Sequence, residues 1–263
     1  MNRIIIGQHY PVDSPVHQLD PRLKLLGIIF FVTTLLFVTH FIGFGLAALG
    51  ILSVVKLARI PLRFLLRGLR MILFILLFAA AINIFLTPGE RVLFAFGFIQ
   101  ITTEGIERAA FMMVRLVLLV AGSSLLTLTT TPIQLTDGIE ALLKPLRLPA
   151  HDIAIMMTIA LRMIPTLAEE TDKIMKAQKA RGADFETGSL IQRAKSLLPI
   201  LIPLFVSAFK RADELATAME ARCYQGGEGR TKMKPLRFTR ADYFAGAVLL
   251  FFCAALVATR IIL

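Results

Sequence analysis

Cysteine is scarce. Cys223 and Cys253 are the only two in 263 residues, the first in a polar stretch and the second in an apolar one. Two isolated cysteines support neither a disulfide framework nor a cysteine-based zinc site. Histidine is equally thin, and His9, His17, His40 and His151 are scattered rather than clustered. No HExxH pair, Walker A sequence or serine-centred elbow occurs, so intramembrane proteolysis and intrinsic ATP hydrolysis have no basis in the sequence. Gly226-Gly227-Glu228-Gly229 follows no strand and reads as a flexible loop, not a phosphate cradle. Asp137, Glu140, Glu169 and Glu170 sit in charged helical stretches and read as a solvated face rather than a metal site. The first twenty residues lack a long apolar stretch ending in a small-residue cleavage site. The expectation is therefore that no signal peptide is removed and that the first apolar run directs insertion.

What the chain has in abundance is apolar sequence. It is 56% hydrophobic with a mean hydropathy of +0.73, above the roughly 45–50% apolar content of soluble domains. Near-uninterrupted runs cover Leu25–Val38, Phe41–Val55, Met71–Phe85, Leu116–Leu128 and Phe244–Val257. A helix needs about 20 mostly apolar residues to cross a bilayer, and each run approaches that with its flanks. The runs predict an all-α membrane protein with five spans, the first two meeting at His40 with almost no loop.

The net charge of +11 is unevenly placed. Lys56, Arg59, Arg63, Arg67 and Arg70 stand between the second and third runs with no acid among them, whereas Glu90, Arg91, Glu104, Glu107 and Arg108 nearly balance in the next connection. Lys and Arg accumulate on the cytoplasmic side. That rule places the N-terminus, the 56–70 loop and the 131–242 region inside, and the C-terminus outside. Anionic lipid is the natural partner of such a basic patch. Nucleic acid is not expected, because no interleaved aromatics accompany the charge.

Three segments organise the chain: 1–130 with an N-terminal loop and four spans, 131–240, and a last span at 241–263. Asp13-Ser14-Pro15 reads as a turn, Pro61 as the start of the helix into the third span, and Phe98–Ile101, after Thr87-Pro88-Gly89, as extended. Thr103 reads as a helix N-cap with Glu104 and Glu107 in the first turns. Within 131–240 three helices are expected. A short one opens at Thr131-Pro132 and ends before Pro145. A second runs from about Ala150 to Ala180, with Ile153, Met156, Met157, Ala160, Met163, Ile164 and Leu167 stepping by three and four. A third runs from about Ser189 to Ala221. The two long helices share one plan: an apolar first half, a charged second half and an Ala-Arg terminus, with Pro165, Pro199 and Pro203 inside them.

The termini are Ala180-Arg181-Gly182 and Ala221-Arg222-Cys223. Glycine just past a helix tolerates a left-handed backbone, and a cation there suits the negative end of the helix dipole. Capping explains one such ending. Two of them, closing two similar helices, point to a fixed guanidinium contact with a carboxylate on a partner.

These termini carry a resemblance. Met175–Phe185 (MKAQKARGADF) and Ala218–Lys234 (AMEARCYQGGEGRTKMK) resemble the two signature regions of the transmembrane T component of energy-coupling factor transporters, a branch of the ABC family that imports vitamins and metals. Pro11–Leu26, Thr131–Leu146 and Leu161–Glu170 extend the resemblance over nearly the whole chain in the family's order. It implies a non-catalytic subunit of the bacterial or archaeal cytoplasmic membrane. Two partner ATPases would bind ATP and magnesium, one or several small membrane S components would bind substrate, and this chain would hold no cofactor. It also implies that Arg181 docks in one ATPase and Arg222 in the other; Cys223 departs from the Gly or Ser expected there. The apolar halves, with Met156, Met157, Met163, Leu204 and Phe205, are the expected S-component surface, and methionine suits a surface that accepts several partners. A component dedicated to one cobalt, nickel or biotin system is the nearest alternative. A conventional ABC permease is disfavoured by the two arginine-ended helices and by spans whose polar groups, threonines aside, are nearly confined to Asn83, Arg115 and Ser123-Ser124. A membrane-embedded enzyme would need a nucleophile or metal set that the sequence does not supply.

Overall fold

Long apolar segments with few glycines or prolines must satisfy their backbone internally, and the α-helix does so within one segment. The computed structural model describes residues 10–86, 92–96, 99–146, 149–185, 187, 189–226 and 235–262. Their order is α1 (Pro15–Gln18), α2 (Pro21–Phe37), α3 (Phe41–Leu57), α4 (Leu62–Leu86), β1 (Val92–Phe96), β2 (Ile99–Thr102), α5 (Thr103–Thr129), α6 (Pro132–Leu143) with a 3-10 turn (Lys144–Leu146), α7 (Ala150–Ala180), α8 (Leu190–Ser196), α9 (Leu198–Glu220) and α10 (Arg240–Ile262). The all-α reading holds apart from one antiparallel hairpin, in which Phe96 faces Ile99 and Phe94 faces Ile101. Thr87-Pro88-Gly89, Phe98 and Gly227-Glu228-Gly229 lie outside the described residues.

The described residues divide into two compact units, one within Gly7–Gly138 and Leu236–Leu263 and the other within Ile139–Pro235. In the first unit α2 and α5 run antiparallel, as three contacts along their length show. Lys24 Nζ donates to Thr129 O at the end of α5 (3.1 Å). Phe31 fills the notch at Gly122, where a Cβ would stand 2.6 Å from the ring. Arg115 Nη2 donates to Val38 O (2.8 Å), closing the C-terminus of α2 where the chain reverses into α3. Arg115 also lies over the Phe44 ring. A cation in an apolar stretch is thus held by a helix end, whose carbonyls carry partial negative charge. Leu35, Val38, Phe44, Ala47, Ile51, Val55, Leu118, Leu125 and Leu256 form the buried core between α2, α3, α5 and α10.

Side-chain caps close the N-termini of several helices in this unit. Ser14 caps α1, which turns the expected Asp13–Pro15 bend into a single helical turn, and Asp20 caps α2. Thr239 and Asp242 cap α10: Asp242 Oδ2 accepts from Thr239 N and Oγ1 (both 2.7 Å), and Oδ1 accepts from Asp20 N (2.8 Å). The cap of α5 is Thr102, whose Oγ1 accepts from Gly105 N, one residue before the expected Thr103.

The five apolar runs are all helical, but their lengths differ from the expectation. α2 and α3 have 17 residues each, the lower limit of roughly 17–25 for a span. α4 is bent by 55° between Leu62–Arg70 and Ile72–Phe85, just after Gly68, the one glycine or proline it contains. By length and composition alone, Thr103–Thr129, His151–Ala180, Ile191–Glu220 and Arg240–Arg260 could each cross a membrane, and the bent α4 would be a fifth. Two of these lie in the region expected to be cytoplasmic, because their first halves are apolar.

In the second unit α7 matches its expected bounds. The third expected helix is broken: α8 ends at Ser196, Leu197 turns, and α9 begins at Leu198. Pro199 therefore stands in the first turn of α9, where its missing N–H costs nothing, while Pro165 and Pro203 are inside helices. α6 stops at Leu143, but the chain continues helically through Pro145 as a 3-10 turn.

Candidate functional site

α7 and α9 pair antiparallel along their whole length. Starting from the end of α7, Gln178 Nε2 donates to Pro199 O (3.4 Å). That carbonyl lacks its usual helical donor because residue 203 is proline. Further along, Glu170 meets α9 through Ser207 Oγ, which donates to Oε1, and through Arg211 Nη2 at 3.1 Å from Oε2. Ile159, Met163 and Leu167 of α7 then face Ala208, Ala212, Leu215, Ala216 and Met219 of α9 across a groove of about 320 Å³. At the start of α7, His151 Nε2 lies 3.4 Å from Tyr224 Oη, and its Nδ1 lies 3.5 Å from Glu140 of α6. The apolar half of each helix thus lies beside the charged half of the other.

Both Ala-Arg endings close in the same way. In α7, Arg181 is the C-cap, Gly182 adopts φ +87°, Gly182 N bonds to Lys179 O (3.0 Å) and Ala183 N bonds to Gln178 O (3.0 Å). After α9, Arg222 takes the same place, Cys223 adopts φ +55°, Cys223 N bonds to Glu220 O (2.8 Å) and Tyr224 N bonds to Met219 O (3.1 Å). This is the Schellman pattern twice over, with the third residue of each motif in the left-handed position. Cys223 therefore reproduces the backbone of Gly182 although it carries a side chain.

Ala180, Arg181, Gly182, Ala221, Arg222 and Cys223 are all exposed. Among the described residues, neither Arg181 nor Arg222 has an acid partner within the chain. Because the helices are antiparallel, the two arginines stand at opposite ends of the pair. At about 1.5 Å per residue, the 23 residues of α9 hold them about 35 Å apart.

The residues expected to form one apolar contact surface do not form one patch. Met156 is 60% exposed near the start of α7, Met157 is half-buried, and Met163 lines the groove against α9. Phe205 is 61% exposed and Leu204 half-buried, beside the charged half of α7. The larger exposed apolar stripe belongs to α9: Leu201, Ile202, Phe205, Val206 and Phe209. Its sequence showed an all-round apolar stretch, but only the partner helix decides which side is left open. The Glu170–Ser207–Arg211 cluster joins residues 37 and 41 apart in sequence, and no local pattern announces such a pair.

Four to five helices long and apolar enough to cross a membrane give the chain the makeup of a multi-pass membrane protein. Residues 13–233 match the family described as cobalt transport protein, CbiQ. The chain is 54% identical over 248 residues to the energy-coupling factor transporter transmembrane protein EcfT of Thermosediminibacter oceani, covering 93% of each chain. It is also 54% identical to EcfT of Ruminiclostridium cellulolyticum, covering 95% of this chain and 94% of the relative. With EcfT of Bacillus subtilis it shares 50% identity over 92% of each chain. The chain belongs to this family of energy-coupling factor transporter transmembrane proteins.

Proposed function

We propose that the chain is the coupling subunit of an energy-coupling factor importer of vitamins or other micronutrients, linking two cytoplasmic ATPases to a substrate-binding S component. One observation carries this reading: two identically capped helix ends, each presenting an exposed arginine without an acid partner among the described residues, are held about 35 Å apart by a single antiparallel helix pair. A single docking groove could not reach both ends, whereas two related grooves could each take one. A guanidinium supplies a planar, always-charged fork for a carboxylate in each receiving groove.

The helix pair suits transmission. Bonds at Gln178, Glu170 and His151 tie α7 to α9 near both ends and in the middle. Movement of either tip by ATP-driven closure of the ATPases is therefore passed to the other helix. The exposed α9 stripe of Leu201, Ile202, Phe205, Val206 and Phe209 is the surface offered to the S component, with Met156 as a second contact. ATP and magnesium belong to the partner subunits, and this chain contributes shape and charge.

The second halves of α7 and α9 are crowded with charge, including Glu169, Glu170, Asp172, Lys173, Lys176, Lys210, Arg211, Asp213 and Glu214. Burying such a set in lipid is costly. The pair is accordingly read as lying outside the bilayer on the cytoplasmic side, with α2–α5 and α10 spanning, the N-terminus inside and the C-terminus outside. Cys223 is exposed and Cys253 buried, so a membrane-impermeant maleimide should label Cys223 in inverted vesicles and not in right-side-out ones. Replacing Arg181 and Arg222 together with alanine should abolish ATP-driven uptake while the chain still inserts. Wild-type uptake by the double variant would overturn the assignment.

A further inference from the structure

Between Asp20 and Glu90 the sequence contains no acidic residue. The cations of this interval concentrate at the elbow where α3 ends and α4 begins, which the coupling function does not use. The elbow is rigid. α3 closes with its own Schellman turn, in which Arg59 N bonds to Lys56 O (3.2 Å) and Ile60 N bonds to Val55 O (3.3 Å), and Arg59 is held at φ +54°. A non-glycine residue stays in that conformation only when its surroundings impose it. Here they do: Val55, Ala58, Ile60 and Leu65 are all buried in the core on the inner side.

The outer side is different. Lys56, Arg59, Arg63 and Arg70 are exposed, and among them Leu57, Leu62 and Leu66 are 58%, 50% and 59% exposed. The segment Leu62–Arg70 then turns by 55° before the apolar stretch Ile72–Phe85 begins. A short helix bent away from a span, with leucines and arginines on its outer face, has the composition of an element lying in the headgroup region. Its leucines reach the acyl boundary and its cations meet phosphate. Asp20 and Asp242 are buried in their own caps, Asp20 accepting from Arg22 N and Asp242 from Thr239 and Asp20 N, so the exposed acid on the segment that packs on the elbow through Tyr10 and Phe64 is Asp13.

We propose that the 56–70 elbow is a binding site for the phosphate headgroups of anionic lipids, anchoring the start of α4 at the membrane surface. The occupant is a lipid because exposed leucines alternate with the cations; a free phosphate would gain nothing from them. Each juxtamembrane cation adds to attraction for anionic lipid, so four of them should give a preference of several-fold.

The test uses the full chain reconstituted in phosphatidylcholine vesicles carrying a trace of spin-labelled phosphatidylglycerol or spin-labelled phosphatidylcholine. The motionally restricted fraction of each label is read by electron paramagnetic resonance. The wild-type chain should restrict phosphatidylglycerol about threefold or more over phosphatidylcholine. The K56Q/R59Q/R63Q/R70Q variant should fall to near parity, while R59K/R63K/R70K keeps the preference, as does R108Q/R260Q away from the elbow. If the glutamine variant does not insert, R63Q/R70Q is read by the same criterion and should lose about half of the preference. An unchanged preference in the glutamine variants overturns the proposal. So does a loss in R59K/R63K/R70K, which would make the effect one of shape rather than charge. A third contrary result is a glutamine variant that keeps its lipid preference but sheds co-purifying proteins, since that would make the elbow a protein contact.

Discussion

Cys223 occupies after α9 the backbone position that Gly182 occupies after α7. Both are left-handed, at φ +55° and +87°, and both are followed by a residue whose N–H returns to a carbonyl five residues back. Only Gly182 adopts this conformation without a Cβ penalty. For an L-residue the left-handed region costs roughly 1–2 kcal/mol, so the second arginine is presented on a strained turn.

Substituting Cys223→Gly should relieve that strain, offset in part by the greater freedom of glycine in the unfolded chain. A net gain of about 0.5–1 kcal/mol corresponds to roughly two- to fivefold slower exchange of the Tyr224 amide, which bonds to Met219 O. Cys223→Val should accelerate it, because a β-branched residue fits this region worst. Equal exchange in all three chains would show that the turn is not strained.

The distance between the two arginines makes their roles separable. Arg181→Ala and Arg222→Ala should each weaken association with a different ATPase, by about 1.5–3 kcal/mol if the guanidinium makes charged hydrogen bonds there. Sites so far apart usually add within about 0.5 kcal/mol. The double variant's loss, measured by titrating purified ATPase pair onto the reconstituted chain, should equal the sum of the single losses. A double variant no worse than either single one would mean that both arginines serve one contact.

On the proposed placement of α7 outside the bilayer, Glu170 gives the helix pair a pH dependence. The hydrogen bond from Ser207, followed by the charge and hydrogen bond of Arg211, holds its carboxyl below the ordinary 4.5. A depressed carboxyl stabilises the pairing fully above its ordinary value, and that contribution is lost as pH falls through the lower folded-state value. Spin labels at positions 173 and 210, in a chain with both native cysteines replaced by serine, should report an unchanged distance from pH 7 to about 5 and a broader one well below 4.5. Glu170→Gln should abolish the difference between the two conditions. Identical distributions at both ends of the range in the parent chain would remove Glu170 from the joint.

How much of this was legible in the sequence differs by residue. The bounds of α7 could be read because its apolar positions repeat at helical spacing and Gly182 marks its stop. The break at Leu197 was hidden, because the segment from Leu197 to Val206 is apolar on every side and periodicity cannot show where such a helix pauses. The two Ala-Arg endings were visible, but their opposition was not. An antiparallel pairing depends on contacts such as Gln178 with Pro199 and His151 with Tyr224, which no local pattern encodes. Arg115 stood out as a cation in an apolar run, yet its partner, the carbonyl of Val38, is 77 residues away.

Asp242 provides a prediction for the membrane unit itself. Its carboxylate is 3% exposed and accepts three hydrogen bonds, two from Thr239 in its own helix cap and one from the Asp20 N–H at the start of α2. Asp242→Ala leaves the buried Asp20 N–H without its acceptor, while the donors of the exposed Thr239 can turn to water; orphaning one buried group costs roughly 1–3 kcal/mol. The variant should lose about 1–3 kcal/mol and exchange the Asp20 and Thr239 amides faster together. Asp242→Asn should fall between the two chains. Its carbonyl oxygen can still accept from Asp20, but its amide turns a donor toward the donors of Thr239. If the alanine variant exchanged Thr239 faster and left Asp20 unchanged, the carboxylate would be a helix cap only, and the link between α2 and α10 would have to come from apolar packing and from Arg22, which donates to Leu236 O and lies over the Phe238 ring.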